Sequence, residues 1–360
     1  MKLAMKSFLF SFLPIAICVI QFLAVPTDCA EILNKGSWHR TTRRAFYSKR
    51  KNPQLNDEKL LFRGGGGDED KGQKSSIPLS VFNLVNNVAG AGILTLSSGV
   101  AAGTGWIPAI IVCTILAALS GHCFSIIGEA CELTGEATFK GLWKRTIGEK
   151  STYLVDSMIA TMCLSCSVIY SGILGDVFTS LLRQTGFPNQ WNGRASNIVI
   201  ISAVVLLPLC LIKDLSALAF TSVLGFTSIL YTVLFVLTRF FDGSYRLPGG
   251  KYLQDGLIVT PAFKTASPWN FGLKSLVLTS NLGLAYIAHY NAPNYYRSLK
   301  NSNSKRFRLM VNISFFILAT LYTVTMIAGY ATFGDVCRGN ILLNYHPDDL
   351  LSTFGRLATG

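Results

Sequence analysis

The sequence predicts an all-α polytopic membrane protein, and three observations carry that prediction. Half of the 360 residues are hydrophobic and only 14% are charged, against about 25% charged in a soluble domain. The mean hydropathy is +0.41. The apolar residues gather into seven runs, and all but one are near or above the ~20 residues that span a bilayer core. The formal net charge is +13, which by itself would suit nucleic acid. Its Arg and Lys, however, sit in the N-terminal region and in short loops between apolar runs. That is the distribution of membrane topology, and no nucleic-acid partner is expected.

In chain order, residues 1–30 have a short basic start (Lys2, Lys6), an apolar core and a small-polar end. This is the shape of a secretory signal peptide, with an extra transmembrane anchor as the alternative. Residues 31–78 are rich in Arg, Lys, Ser and Gly and lack apolar periodicity, so they read as a disordered basic region. The transmembrane domain is expected over 79–360. Its apolar segments run over 79–101, 106–130, 153–182, 197–212, 215–241, 271–290 and 309–333, and an eighth begins near Leu350. The fourth is the short one. Because nothing after Leu350 ends a helix, the chain reads as truncated within that eighth segment. The loop 297–308 holds Arg297, Lys300, Lys305, Arg306 and Arg308 and no acid. This loop favours a cytosolic N-terminus, in conflict with a cleaved signal.

Two segments are built wrongly for plain anchors. The first carries Asn86-Asn87 and then Gly90-Ala91-Gly92-Ile93 where unbroken apolar residues belong. Each glycine weakens a helix by roughly 1 kcal/mol. Irregular backbone survives in a bilayer only where it faces protein or a wet cavity. The sixth ends in Tyr286-Ile287-Ala288-His289-Tyr290-Asn291-Ala292-Pro293, and Pro293 predicts a break about four residues upstream, near His289. Interrupted segments five apart are the pattern of an inverted-repeat transporter with its site at the breaks. A half-helix starting at Gly92 would aim free N–H groups at an anion such as a carboxylate, and carbonyls from Asn86 to Ala89 could ligate a cation. Close helix packing is the competing explanation for Gly90 and Gly92.

Other candidates are balanced against structural roles. His289 is an intramembrane ionisable group and so either a proton handler or a hydrogen-bonded structural residue. Tyr170, midway along the third segment, packs or offers its hydroxyl to a carboxylate. Asp156 and Asp176 sit at the ends of that segment and read as structural. Of nine cysteines, most lie inside apolar segments. Cys163-x-x-Cys166 reads as packing, not as a redox pair, and no metal site or other cofactor is expected. Asn312-Ile313-Ser314 has glycosylation spacing but lies inside the seventh segment.

These residues carry a resemblance. Asn83-Leu84-Val85-Asn86 with Gly90-Ala91-Gly92-Ile93-Leu94 looks like the first-helix signature of the amino acid/auxin permease superfamily, in its sodium-coupled and vacuolar proton-driven neutral amino acid transporters. Similar matches are Ile212-Lys213-Asp214-Leu215-Ser216-Ala217-Leu218-Ala219, the run from Ala288 to Pro293, and Tyr330-Ala331-Thr332-Phe333-Gly334-Asp335 with Gly339-Asn340-Ile341-Leu342. The resemblance covers about residues 76–360. It implies a bundle of two inverted five-helix repeats, here with the second incomplete, in a multi-pass protein of the plasma membrane or a vacuolar or other endomembrane. It also implies symport of amino acids, neutral ones, coupled to H+ or Na+ by alternating access.

Carried onto this chain, N–H groups near Ala91 and Gly92, flanked by Gly90 and Ile93, would hold the substrate carboxylate. Tyr170 could join them. Tyr286, His289 and Asn291 would lie along the amine and side chain. Carbonyls near Asn86 and Ala89 would supply half of a cation site, and the eighth helix the rest. The family's sodium-coupled animal members often carry a disulfide in the loop after the fifth helix. Residues 242–270 hold no cysteine, which favours a proton-coupled or organellar member.

Two other classes compete. A non-transporting amino acid sensor of the same fold would bind substrate and signal through its basic tail. An intramembrane aspartyl protease is suggested by Gly175-Asp176 and Gly334-Asp335. It is set aside because Ile173 and Thr332 occupy the first glycine position of the Gly-x-Gly-Asp motif. No enzymatic role is expected.

Overall fold

The computed structural model describes residues 75–184, 193–208, 219–253, 260–264 and 266–359. The leader 1–30, most of the basic region and the 212–218 part of the fifth-segment motif lie outside the described residues. The chain is an all-α membrane protein. Four helices are long and apolar enough to cross a bilayer, and a fifth span arises if the bent first pair is counted as one.

The first segment is α1 (Ile77–Val88), a 3-10 turn (Ala91–Thr95) and α2 (Leu96–Ala101). Its two halves are bent by 50°. Pro78 falls in the first turn of α1, where its missing N–H costs nothing. The second segment is α3 (Trp106–Thr134), ended by Gly135 in the left-handed conformation. The basic loop that follows contains a short helix not expected from the sequence, α4 (Phe139–Thr146). Thr138 starts it by accepting the Gly141 N–H at 3.0 Å. The third segment is α5 (Thr152–Gln184). The fourth is α6 (Arg194–Ile201), followed by one π turn, and the fifth is α7 (Ala219–Asp242).

The sixth segment is α8 (Ser275–Ala285), a 3-10 turn (His289–Asn291) and α9 (Ala292–Ser298). Its helix stops at Ala285, earlier than the proline argument placed it. Pro293 lies in the first turn of α9, so it starts the second half-helix and does not break the first. The seventh segment, α10 (Ser304–Phe333), begins five residues before its apolar run. Asn303 caps it by accepting the Arg306 N–H at 2.9 Å, and Glu129 and Glu132 of α3 bind Arg308 and Ser304. The start of the eighth is α11 (Leu350–Thr359).

α10 is the hub, packing on α1, α2, α3 and α7. The broken segments run antiparallel and pair crosswise. Ser75, just ahead of α1, bridges to Leu299 after α9. α2 lies on α8, where Gly92 and Gly99 let the backbones touch. A Cβ on Gly92 would stand 3.1 Å from Ala285 Cα, and one on Gly99 2.9 Å from Leu278 Cα. The Asn281 amide also donates to the Thr95 carbonyl at 3.1 Å.

The two breaks meet at one side chain. Val88 and Ala285 are the last residues of α1 and α8, so their carbonyls have lost helical donors. The buried Tyr322 hydroxyl of α10 lies 3.0 Å from the first and 2.8 Å from the second. At the end of the bundle where α7 stops, Asp349 caps α11 through the Leu351 N–H. It also takes a two-pronged ion pair from Arg239 of α7, at 2.5 and 2.9 Å, and a hydrogen bond from Tyr245 at 3.0 Å. Asp349 is 0% exposed. Burial raises the Tyr245 phenol above its ordinary range and keeps it a donor.

Two stability outcomes follow. Tyr322→Phe strands the Ala285 carbonyl and takes one of two donors from the Val88 carbonyl, which keeps the Gly90 N–H, and should cost roughly 1–3 kcal/mol in thermal unfolding of detergent-purified protein, with faster amide exchange over residues 89–95 and 286–291. No change in either would remove the hydroxyl's role as a clamp. Asp349→Ala takes the buried partner from Arg239 and leaves it only the partly exposed Asp242 at 2.6 Å, and should cost up to about 3–5 kcal/mol. The double change Arg239→Met with Asp349→Leu should cost less, because the charge then left alone, Asp242, is partly exposed. Equal losses in the two proteins would contradict this account.

Candidate functional site

A cavity opens between the break in segment one, the end of α8 and the face of α5. It holds about 640 Å³ of space not filled by atoms, including its open side. Gly92, Asn87, Val88 and Thr95 line it from the first segment, Leu284, Ala285, Ile287 and Tyr290 from the sixth, and Tyr170 from α5. Among the described residues, no Asp, Glu, Lys, Arg or His contributes to the lining.

The break itself is built from backbone. Gly90 has extended geometry, with φ −100° and ψ −156°. Its N–H turns back to the Val88 carbonyl at 2.8 Å. The Asn86 carbonyl therefore loses the Gly90 N–H that an unbroken helix would give it. Beyond Gly90 the 3-10 turn starts at Ala91, and the first N–H groups of such a turn have no acceptor within it. The half-helix thus opens one residue before the expected Gly92. Gly90 faces Tyr170, since a Cβ there would be 3.5 Å from the tyrosine hydroxyl. The break residues and the hydroxyl at α5 meet across one gap.

The other sequence candidates lie elsewhere. Ile93 and Ala89 are buried in the core. The Asn86 side chain faces α7, its oxygen 3.7 Å from where a Cβ on Gly225 would be. Tyr286 is buried against α3, its hydroxyl 3.3 Å from Cys113 Sγ. His289 is also turned to α3. Its Nε2 is 3.1 Å from the Ser120 carbonyl. A carbonyl only accepts, so Nε2 carries the proton and Nδ1 is a bare, buried acceptor without a hydrogen-bond partner. Asn291 accepts from the Asn294 amide at 3.4 Å and lies outside the cavity lining. Asp176 is held by Arg194 at 2.5 Å.

Sequence reasoning missed Thr95 and Tyr322, and it placed Asn87 and Tyr290 in the interrupted runs without singling out their side chains. Asn87 and Tyr290 were adjacent to residues already singled out. Nothing in the sequence marks Tyr322, a tyrosine in an apolar run. Cys163 and Cys166, read as packing residues, also line the cavity.

Known proteins agree with this architecture. Residues 73–360 match the family described as transmembrane amino acid transporter protein. Similar curated proteins include amino acid transporter AVT6E of Arabidopsis thaliana, 26% identical, with 77% of this chain and 56% of that protein aligned. Solute carrier family 38 member 8 of Mus musculus is 25% identical over 75% of this chain and 60% of its own length. Vacuolar amino acid transporter 7 of Saccharomyces cerevisiae is 26% identical over 79% and 55%. The chain thus spans little more than half the length of these relatives. No solved structure matches it significantly. On a match that covers well over half of its residues, the chain belongs to the transmembrane amino acid transporter family.

Proposed function

We propose that the protein carries neutral amino acids across a membrane by cation-coupled symport, with H+ or Na+ as the coupling ion, through alternating access within an inverted-repeat bundle. The observation that carries this reading is the cavity. It is lined by the interrupted parts of both broken segments and faced by the Tyr170 hydroxyl. The N–H groups around Ala91 and Gly92, at the positive end of a half-helix, bind the substrate carboxylate with help from Tyr170. The half-helix end at Ala285 presents carbonyl oxygen to an amine or a cation, and the Asn86 carbonyl, which has lost the Gly90 N–H, joins it. The substrate is neutral because a charged side chain would find no counter-ion among the lining residues. The names of two of the relatives, an amino acid transporter and a vacuolar amino acid transporter, support amino acids as the substrate class.

His289 takes a structural role in this scheme. It lies outside the cavity lining and already donates to α3.

The test is uptake of neutral amino acids by the full-length protein in liposomes, with imposed H+ or Na+ gradients. Gradient-driven accumulation is expected. Binding without uptake would overturn the transport reading and leave a sensor. Within that assay, Tyr170→Phe removes a hydrogen bond to a charged group, worth about 1.5–3 kcal/mol. It should therefore raise KM by roughly ten-fold or more at unchanged membrane expression, and an unaltered KM would exclude the hydroxyl from the site. His289→Gln should leave the pH profile of uptake as it is, whereas a flattened profile would make His289 a proton carrier.

A further inference from the structure

The cavity wall formed by α5 is rich in sulfur. Met162, Cys163 and Cys166 line it together with Tyr170. Cys163, Cys166 and Tyr170 are spaced three and four residues apart, which stacks them on one helical face with neighbouring Cβ atoms about 5–6 Å apart. Both cysteines are free thiols, Cys163 exposed and Cys166 half-buried. Among the described residues, no group of three or more His, Cys, Asp or Glu side chains comes together to hold a metal ion. A tetrahedral zinc-type centre is therefore not built here. Two adjacent thiols with no third ligand suit a soft centre that needs only two sulfur atoms.

We propose that Cys163 and Cys166 form a dithiol site inside the cavity for a thiophilic ligand of low coordination number, with trivalent arsenicals as the chemical class. The reaction balances without an oxidant. With an organoarsenic oxide, R–As=O, two S–As bonds form and the As–O bond is broken. The two thiol protons leave with that oxygen as water. Arsenic stays trivalent and neither sulfur is oxidised. Bound there, the ligand occupies the same space as the break residues and Tyr170. The inference does not rest on transport, because adduct formation requires no uptake.

The test uses the purified full-length protein and phenylarsine oxide. Intact-mass measurement should show an adduct that survives washing with a monothiol and is released by a 1,2-dithiol. Both Cys163→Ser and Cys166→Ser should lose it. A second measurement needs no variant: after arsenical treatment, N-ethylmaleimide should label the remaining accessible cysteines while peptide mapping finds Cys163 and Cys166 protected. An adduct that washes off with monothiol, persists in either variant or maps to other cysteines would overturn the proposal.

Discussion

One hydroxyl holds the centre of this protein together. In a bilayer, a broken helix is tolerated only if the carbonyls freed at the break find a donor. Here two broken helices end side by side, and the phenol of Tyr322 lies within hydrogen-bond distance of both terminal carbonyls. A phenol has one proton, so the two carbonyls share it, and the Val88 carbonyl has a second donor in the Gly90 N–H at 2.8 Å. The arrangement is satisfied but not saturated. It fixes the breaks at the same depth and leaves acceptor capacity there. α10, otherwise an ordinary apolar span, is packed against both halves of the first broken segment and the turn between them.

Small residues set the second constraint. Gly92 lies against Ala285, and Gly99 against Leu278, so the half-helices α2 and α8 meet backbone to backbone. Close packing and a cavity, which compete as explanations of these glycines, are both present at Gly92. It touches Ala285 of α8 and, with Ala285, lines the cavity. Gly90, by contrast, faces Tyr170.

Much of the fold was legible because bilayer-spanning helices announce themselves by composition. The break in the first segment was also legible, since two glycines beside paired amides are out of place in a plain apolar span. The sixth-segment break was placed about four residues late. Pro293 was read as a breaker, whereas its position in the first turn of α9 makes it a starter. Facing was the main thing hidden. In a helix that is apolar all round, hydrophobicity does not mark the inner side. Cys163 and Cys166 thus looked like packing residues while lining the cavity. Tyr286 and His289 sit where the helical phase is lost, and both turn toward α3. Tyr322 was hidden for another reason: its partner Val88 is 234 residues away in sequence.

The crosswise pairing of the half-helices has a mechanical meaning. α2 is fastened to α8, and α1 is tied to α9 where the chain enters and leaves the bundle. Half of each broken segment therefore packs with half of the other, crosswise, in the manner of a pair of scissors. The rivet is the Tyr322 hydroxyl, and the cavity lies beside it. In the transport scheme proposed above, a tilt of one pair of half-helices relative to the other would change the gap at the ends of the molecule far more than the spacing at the pivot.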